Sequence, residues 1–257
     1  MQDFLLFAAV GFAAQLVDGA LGMAYGVISS TLLLSLGTPP AAASASVHAA
    51  KMFTGAASAA SHVRNGNVSF ALFWPLALGG AVGGVAGGFL LTSIDAETIK
   101  PWVVGWLGLM GVVILRRAMK GAAPRPKPFR AGLPLGLAGG FLDALGGGGW
   151  GPTVTTTLVS AGTPPRQAVG SGNAAEAVVA VAVSTTFLVA LLRGRWPDAD
   201  GLQQYLAAVL GLIAGGVAAA PLSGLVARIL PMRAFTWLVG LLIIGLAVTQ
   251  LLSPLLR

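Results

Sequence analysis

Residues 18–51, DGALGMAYGVISSTLLLSLGTPPAAASASVHAAK, are followed by a second version of the same stretch. It is residues 143–176, DALGGGGWGPTVTTTLVSAGTPPRQAVGSGNAAE, and the two align without a gap at an offset of 125 residues. The first aspartate, two glycines of the following segment and the whole Gly-Thr-Pro-Pro block coincide. Chance rarely repeats an aspartate and two prolines in register, so the pattern indicates an internal duplication.

Composition sets the class of protein. Of the 257 residues, 56% are hydrophobic and only 9% are charged, and the mean hydropathy is +0.85. Soluble domains carry about 25% charged residues. The apolar runs show no alternation of period two, which favours helices over a barrel. The sequence therefore predicts an all-α polytopic membrane protein, with the lipid bilayer as its main partner.

Each copy of the duplicated stretch contains a break between two short apolar runs. Residues 4–16 and 24–36 are each shorter than the ~20 residues of a membrane-spanning helix. Glycines around Asp18 make the segment between them poor helix material. We expect two half-helices meeting inside the membrane, as a re-entrant hairpin or as one broken crossing. The second copy has the same plan, with half-helices at 133–142 and 150–161 around a break at 143–149.

Three full spans are predicted after each break, at 41–63, 68–92 and up to residue 115, then at 166–192, 202–227 and 234–252. Gly215-Gly216 repeats Gly83-Gly84 at an offset of 132 residues. Paired halves with broken helices are typical of inverted repeats. The predicted fold is therefore two inverted repeats, each a broken or re-entrant helix pair followed by three transmembrane helices; the loop charges leave a parallel arrangement open.

A basic linker joins the two halves. We divide the chain into a first repeat (1–118), a linker (119–130) and a second repeat (131–257), and the segment 116–130 carries six Lys or Arg residues and no acidic residue. Such a cluster can bind nucleic acid or anionic lipid. The positive-inside rule explains it more simply and makes the linker cytoplasmic. No nucleic-acid partner is expected, and the sequence does not decide between a monomer and a homodimer.

Five ionisable residues lie within apolar segments, where facing lipid would be costly: Asp18, His48, Lys51, Asp143 and Glu176. His48 and Lys51 are three residues apart and share a helix face. Asn173 and Glu176 occupy the matching positions of the second copy. Two interpretations remain open. A Lys51–Glu176 pair fixes the two halves together, or these side chains bind a substrate and move a coupling proton or sodium ion.

The breaks themselves suggest an anion site. Asp18 and Asp143 are expected to cap half-helices, and backbone N–H groups left free at helix N-termini attract anions. The aromatic pair at the breaks forms either the wall of a pathway or ordinary packing. The candidate substrate-binding residues are His48, Lys51, Asn173, Ser46, Ser171, Gly22, Gly147, Gly148, Tyr25 and Trp150, with Glu176, Asp18 and Asp143 as coupling or structural groups.

No enzyme signature accompanies these residues. The sequence contains no P-loop, no GxSxG and no HExxH motif. It has two histidines and no cysteine, so a three-ligand zinc site would need carboxylates. We expect neither catalysis nor a metal or other cofactor.

The chain resembles the sulfite exporter TauE/SafE family of membrane transporters. The resemblance rests on the joint order of Asp18-Gly19 with Gly22, the Gly-Thr-Pro-Pro blocks, Asp143 with Gly146 to Gly149, and Ser171-Gly172-Asn173 with Glu176. It implies a multi-pass carrier in the bacterial inner membrane that exports a small sulfur anion, such as sulfite or sulfoacetate. Thiosulfate importers distantly related to the family use pore cysteines, and this chain has none. A passive anion channel and a thiosulfate-type uptake carrier are the alternatives.

Overall fold

A computed structural model describes residues 2–119, 129–196, 205–222 and 232–252 of the chain. The described residues form helices and turns without a strand. The helices are α1 Gln2–Leu21, α2 Tyr25–Ser35, α3 Pro40–Arg64, α4 Phe70–Ser93, α5 Ala96–Met119, α6 Gly132–Gly146, α7 Thr156–Ser160, α8 Pro165–Leu192, α9 Leu206–Ala219 and α10 Met232–Leu252. A π-helical turn, Gly151–Thr155, precedes α7, and a 3₁₀ turn, Ala220–Leu222, follows α9. The all-helical prediction is confirmed.

Both predicted breaks are present, but they are shorter than expected. The first is confined to residues 22–24 and the second to residues 147–149. Helix α1 continues through Asp18 and Gly19 to Leu21, so the predicted end at residue 16 is wrong. In an apolar environment each extra helical turn satisfies backbone groups that would otherwise remain unpaired, which favours this longer helix.

Each Gly-Thr-Pro-Pro block ends one helix and starts the next. Gly37 and Gly162 adopt positive φ angles of 89° and 96°, which a residue with a Cβ rarely tolerates. The second proline of each block, Pro40 and Pro165, is the first residue of α3 and α8. Proline suits this position because its fixed φ is helical and the missing N–H has no helical partner.

The helices face lipid with apolar side chains and enclose polar ones. Leu78, Val82 and Trp102 are largely exposed, whereas His48 and Asp143 are fully buried. Among the described residues, α4, α5 and α8 are long and apolar enough to cross a membrane. This distribution is the reverse of that in a soluble protein and confirms the prediction of a polytopic membrane protein.

The two halves interlock through their glycine-rich helices. Helix α4 packs against α6 of the other half, and α9 packs in the same way against α1. In the first pair, Gly83 lies against the carbonyl of Leu137. In the second, Gly215 lies against the carbonyl of Ala8. The absence of side chains at these positions lets the backbones approach closely, as in other membrane helix pairs.

The predicted sequence alignment of α9 with α4, its counterpart in the first repeat, is wrong by one helical turn. Gly80 lies against Trp150, and Gly216 lies against Tyr25, the counterpart of Trp150. Gly216 therefore corresponds to Gly80, an offset of 136 residues, and not to Gly84 as the offset of 132 implied. Glycine recurs every four residues on this helix face, so the sequences match almost equally well after a shift of one turn.

Two predicted segments extend beyond the described residues. The linker assigned to 119–130 falls mostly in 120–128, and the span assigned to 202–227 includes 202–204 and 223–227; all of these lie outside the described ranges.

Candidate functional site

Helices α3 and α8, which carry the second parts of the duplicated stretches, pack against each other at the centre of the molecule. Lys51 of α3 donates to Glu176 of α8, with 2.5 Å between Nζ and Oε1. The two residues occupy equivalent positions of the two copies. The charged pair therefore lies at the contact between the halves, as one of the two interpretations of the sequence predicted.

Asp143, near the end of α6, extends this pair into a chain of ionisable groups. Its carboxylate oxygens each lie 3.4 Å from Lys51 Nζ, and Oδ2 lies 3.2 Å from Nε2 of His48. Oδ1 also accepts the backbone N–H of Trp150 at 3.1 Å. A fully buried carboxylate is tolerated because it has these three partners.

Asp18 makes the equivalent backbone contact in the first half but has different surroundings. Its Oδ1 accepts the N–H of Tyr25, the first residue of α2, at 3.3 Å. Within the described ranges Asp18 forms no ion pair, whereas Asp143 has Lys51. Both aspartates thus bridge their helix break, and only the second is held by a cation.

A narrow polar cavity runs between the halves beside Lys51. Its volume is about 10 Å³, which is about the room needed by one water molecule. Five of the predicted site residues line it, namely Asp18, Tyr25, Lys51, Asn173 and Glu176. The remaining lining residues are Gln15, Thr54, Gly55, Ser58 and Ala177.

The other candidate substrate-binding residues do not line this cavity. His48 is fully buried, and its two ring nitrogens lie near Ser44 and Asp143. Trp150 is fully buried and donates its indole N–H to the carbonyl of Gly172 at 3.0 Å. Ser171 accepts the N–H of Ser69, and Ser46 is buried elsewhere on α3.

Gly22, Gly147 and Gly148 lie where the two helix breaks cross. Gly26 contacts the backbone of Gly147 and Gly148, and Gly151 makes the same contact with Gly22. A Cβ at Gly26, Gly148 or Gly151 would overlap the backbone of the other break, so the breaks touch backbone to backbone. The first amides of both segments after the breaks are bound by Asp18 and Asp143. These two amides are therefore not free to bind an anion in this conformation, which corrects the expectation of free donors there.

Thr54 and Ser58 are cavity residues that the sequence analysis missed. They follow Lys51 by three and seven residues, so all three share one face of α3. That spacing was the signal that could have identified them. Ser58 Oγ lies 3.4 Å from Nδ2 of Asn173, whose Oδ1 is buried without a partner among the described residues.

The ionisable groups around Lys51 form a cluster that contains more acidic than basic side chains. Asp18, Asp143 and Glu176 are three carboxyl groups, against one ammonium on Lys51 and the imidazole of His48. Buried charges need compensation, so the site takes up positive charge more readily than a bare anion. The described residues contain no group of three His, Asp or Glu side chains able to hold a metal ion.

An all-helical chain with apolar outer faces, two broken helices and a charged cluster between its halves has the build of a membrane transporter. Comparison of the sequence with known protein families agrees with this class and identifies the family. The family "Sulfite exporter TauE/SafE" matches residues 7–250, nearly the whole chain. The chain therefore belongs to the sulfite exporter TauE/SafE family, as the resemblance predicted, and is a multi-pass membrane protein.

A curated relative supports the same conclusion. The "Probable membrane transporter protein YtnM" of Bacillus subtilis (strain 168) is 40% identical over 230 residues, covering 87% of this chain and 74% of the relative. No solved structure matches. Both matches are to membrane transporters, so the prediction of a transporter is confirmed at that level.

Proposed function

We propose that the protein exports a small sulfur-containing anion, sulfite or an organosulfonate such as sulfoacetate, across the bacterial inner membrane by alternating access. The family description supports both the substrate class and the direction. The central observation is the Lys51–Glu176 pair, buried beside a polar cavity between equivalent helices of the two halves. Transporters built from two repeats bind their substrate in such a place.

The repeats are inverted in this proposal. Helices α3 and α8 are copies of each other and pack antiparallel, since His48 lies near Phe187 while Ser58 lies near Asn173. Antiparallel packing of equivalent helices supports a pseudo-twofold axis in the membrane plane. Helices α5 and α10 agree, because Gly108 contacts Ala247 and Leu115 contacts Gly240. With this topology α1 and α2 form a re-entrant hairpin, and each half crosses the membrane three times.

The charges at the helix ends then favour one orientation. Arg64, Arg116, Arg130 and Arg166 share one face of the membrane in this topology, and Asp95 lies on the other. The positive-inside rule makes the arginine-rich face, with the linker 119–130, cytoplasmic. Lys100, Arg193 and Arg195 lie on the opposite face and are the exceptions among the described residues.

The substrate anion binds the ammonium group of Lys51 in the cavity, beside the amide of Asn173. Lys51 is paired with two carboxylates in this conformation. An anion competes with these two carboxylates for the ammonium group, so protonation of Glu176 favours anion binding. Protonation of Glu176 is therefore part of anion binding in this mechanism.

Flux through the purified protein in liposomes tests the function. We expect saturable transport of sulfite or sulfoacetate that is stimulated by the same anion on the opposite side, with sulfate and phosphate as comparison anions. Unsaturable conductance would favour a channel, and preferred inward movement of thiosulfate would favour an uptake carrier. No flux of any of these anions would contradict a transport function of this kind.

A further inference from the structure

Arg117 lies in the last turn of α5 and points back into the protein. It is half-buried, and its Nη1 lies 3.6 Å from the sulfur of Met23. Met23 is fully buried in the first helix break. A cationic side chain thus reaches from the arginine-rich end of α5 to the place where α1 and α2 separate.

The guanidinium group has no carboxylate partner among the described residues. Its contact is to a thioether, which is a weak acceptor, whereas arginine offers five N–H donors. The central carboxyl groups are engaged with Lys51, His48 and backbone amides. Glu97 lies at the other end of α5, about 30 Å away at 1.5 Å per helical residue. Half-buried arginines usually pair with carboxylate or phosphate, so this one has unused binding capacity for an anion.

The break that Arg117 contacts is itself unusual. Ala24, with φ 116°, is the non-glycine residue with a positive φ in the described part of the chain. The second copy has Gly149 at this position, and Gly149 does not adopt a positive φ. Strained backbone of this kind persists mainly at functional sites. The strain and the unpaired arginine are independent observations, and both lie at the first break.

We propose that Arg117, beside Met23 and Ala24, binds an oxyanion at the linker-side entrance to the first break, and that this oxyanion is the transported sulfur anion before it reaches Lys51. The assignment rests on the proposed function. The planar fork of the guanidinium group matches two oxygens of a sulfite or sulfonate. A lipid phosphate offers the same oxygens, so the experiment separates the two sources.

Arg117→Gln and Arg116→Gln form a matched pair, because Arg116 is the exposed neighbour on the same helix turn. Transport of sulfite and sulfoacetate from the linker side is measured in liposomes of zwitterionic lipid and of lipid with added phosphatidylglycerol. We expect Arg117→Gln to raise KM for entry from that side about tenfold or more in both lipids, in line with the loss of a charged hydrogen bond. Arg116→Gln should stay within about twofold of the parent, since exposed charges contribute little.

Equal KM values for the two variants would overturn the inference while leaving transport by the parent protein, and thus the proposed function, intact. A difference confined to liposomes with phosphatidylglycerol would assign Arg117 to lipid and also overturn it. Thermal stabilisation of the detergent-purified proteins by sulfite is the second measurement. Weaker stabilisation of Arg117→Gln than of the parent and Arg116→Gln supports the site, and equal stabilisation of all three contradicts it. Arg117→Lys replaces Arg117→Gln if the latter fails to fold.

Discussion

At the scale of single residues, the equivalent aspartates of the two halves share one contact and differ in their other neighbours. Asp18 and Asp143 each accept the first N–H after their helix break, at 3.3 and 3.1 Å. Only Asp143 also contacts Lys51 and His48. The duplication therefore keeps the local cap and lets the surroundings diverge, so that Asp18 faces the cavity without an ion pair among the described residues.

Glu176→Gln tests the role of protonation at the centre. A neutral glutamine resembles the protonated acid, so the ammonium group of Lys51 is available to the anion at every pH. In the parent protein we expect anion binding to weaken as pH rises and Glu176 ionises; in the variant this pH dependence should be much reduced. Binding of a sulfonate, whose charge is constant near neutral pH, is measured by thermal shift across a pH series.

Glu97→Gln is the control, because Glu97 is an exposed acid outside the cluster. The same pH dependence in Glu176→Gln and in the parent protein would remove Glu176 from the coupling mechanism.

At the scale of helices, close backbone contact is what joins the halves. The face of α4 that bears Gly79, Gly83 and Gly87 follows α6 along its length. In lipid there is little hydrophobic gain from pairing two apolar helices, so van der Waals contact between smooth surfaces has to supply the stability. Adding a single methyl group to this face should therefore lower the stability of the folded protein.

Gly83→Ala should lower stability, because the new Cβ would overlap the carbonyl of Leu137. We expect a loss of about 1–3 kcal/mol, as for overpacking in other interiors. Gly105→Ala on α5 is the matched control, since a Cβ there has open space around it. Thermal unfolding of the two variants in detergent measures the difference, and equal stability would show that α4 and α6 are not in close backbone contact at Gly83.

At the scale of the whole molecule, topology connects the site to the two faces of the membrane. In the proposed inverted topology the equivalent ends of α3 and α8 lie on opposite faces, so a cavity between them can open to either side. The narrow cavity beside Lys51 and the direct contact of the two breaks correspond to a closed conformation. Transport in this mechanism requires the halves to separate at that contact.

Labelling of single cysteines tests this topology directly, because the natural chain contains no cysteine. Asn65→Cys and Arg193→Cys place the thiol at the exposed residue that follows α3 and α8, respectively. A membrane-impermeant maleimide should label Arg193→Cys in intact cells and Asn65→Cys only after the membrane is opened. Labelling of both from the same side would indicate parallel repeats.

The sequence by itself determined the helical membrane class, the two breaks, the approximate spans and the buried ionisable residues. These follow from local properties: hydropathy, the conformations open to glycine and proline, and the cost of charge in lipid. Lys51 and Glu176 were predicted as a pair because the duplication aligns them, and this alignment needs no structure.

Only the tertiary structure decided which side chains face the cavity and how far α1 extends. It also decided which turn of α9 is equivalent to a given turn of α4 in the other repeat. His48 and Trp150 point into packed interior, while Thr54 and Ser58 line the cavity beside Lys51. Such outcomes depend on how helices distant in sequence are rotated and shifted against each other. A glycine pattern that repeats every turn allows several such shifts, and the sum of packing contacts selects one of them.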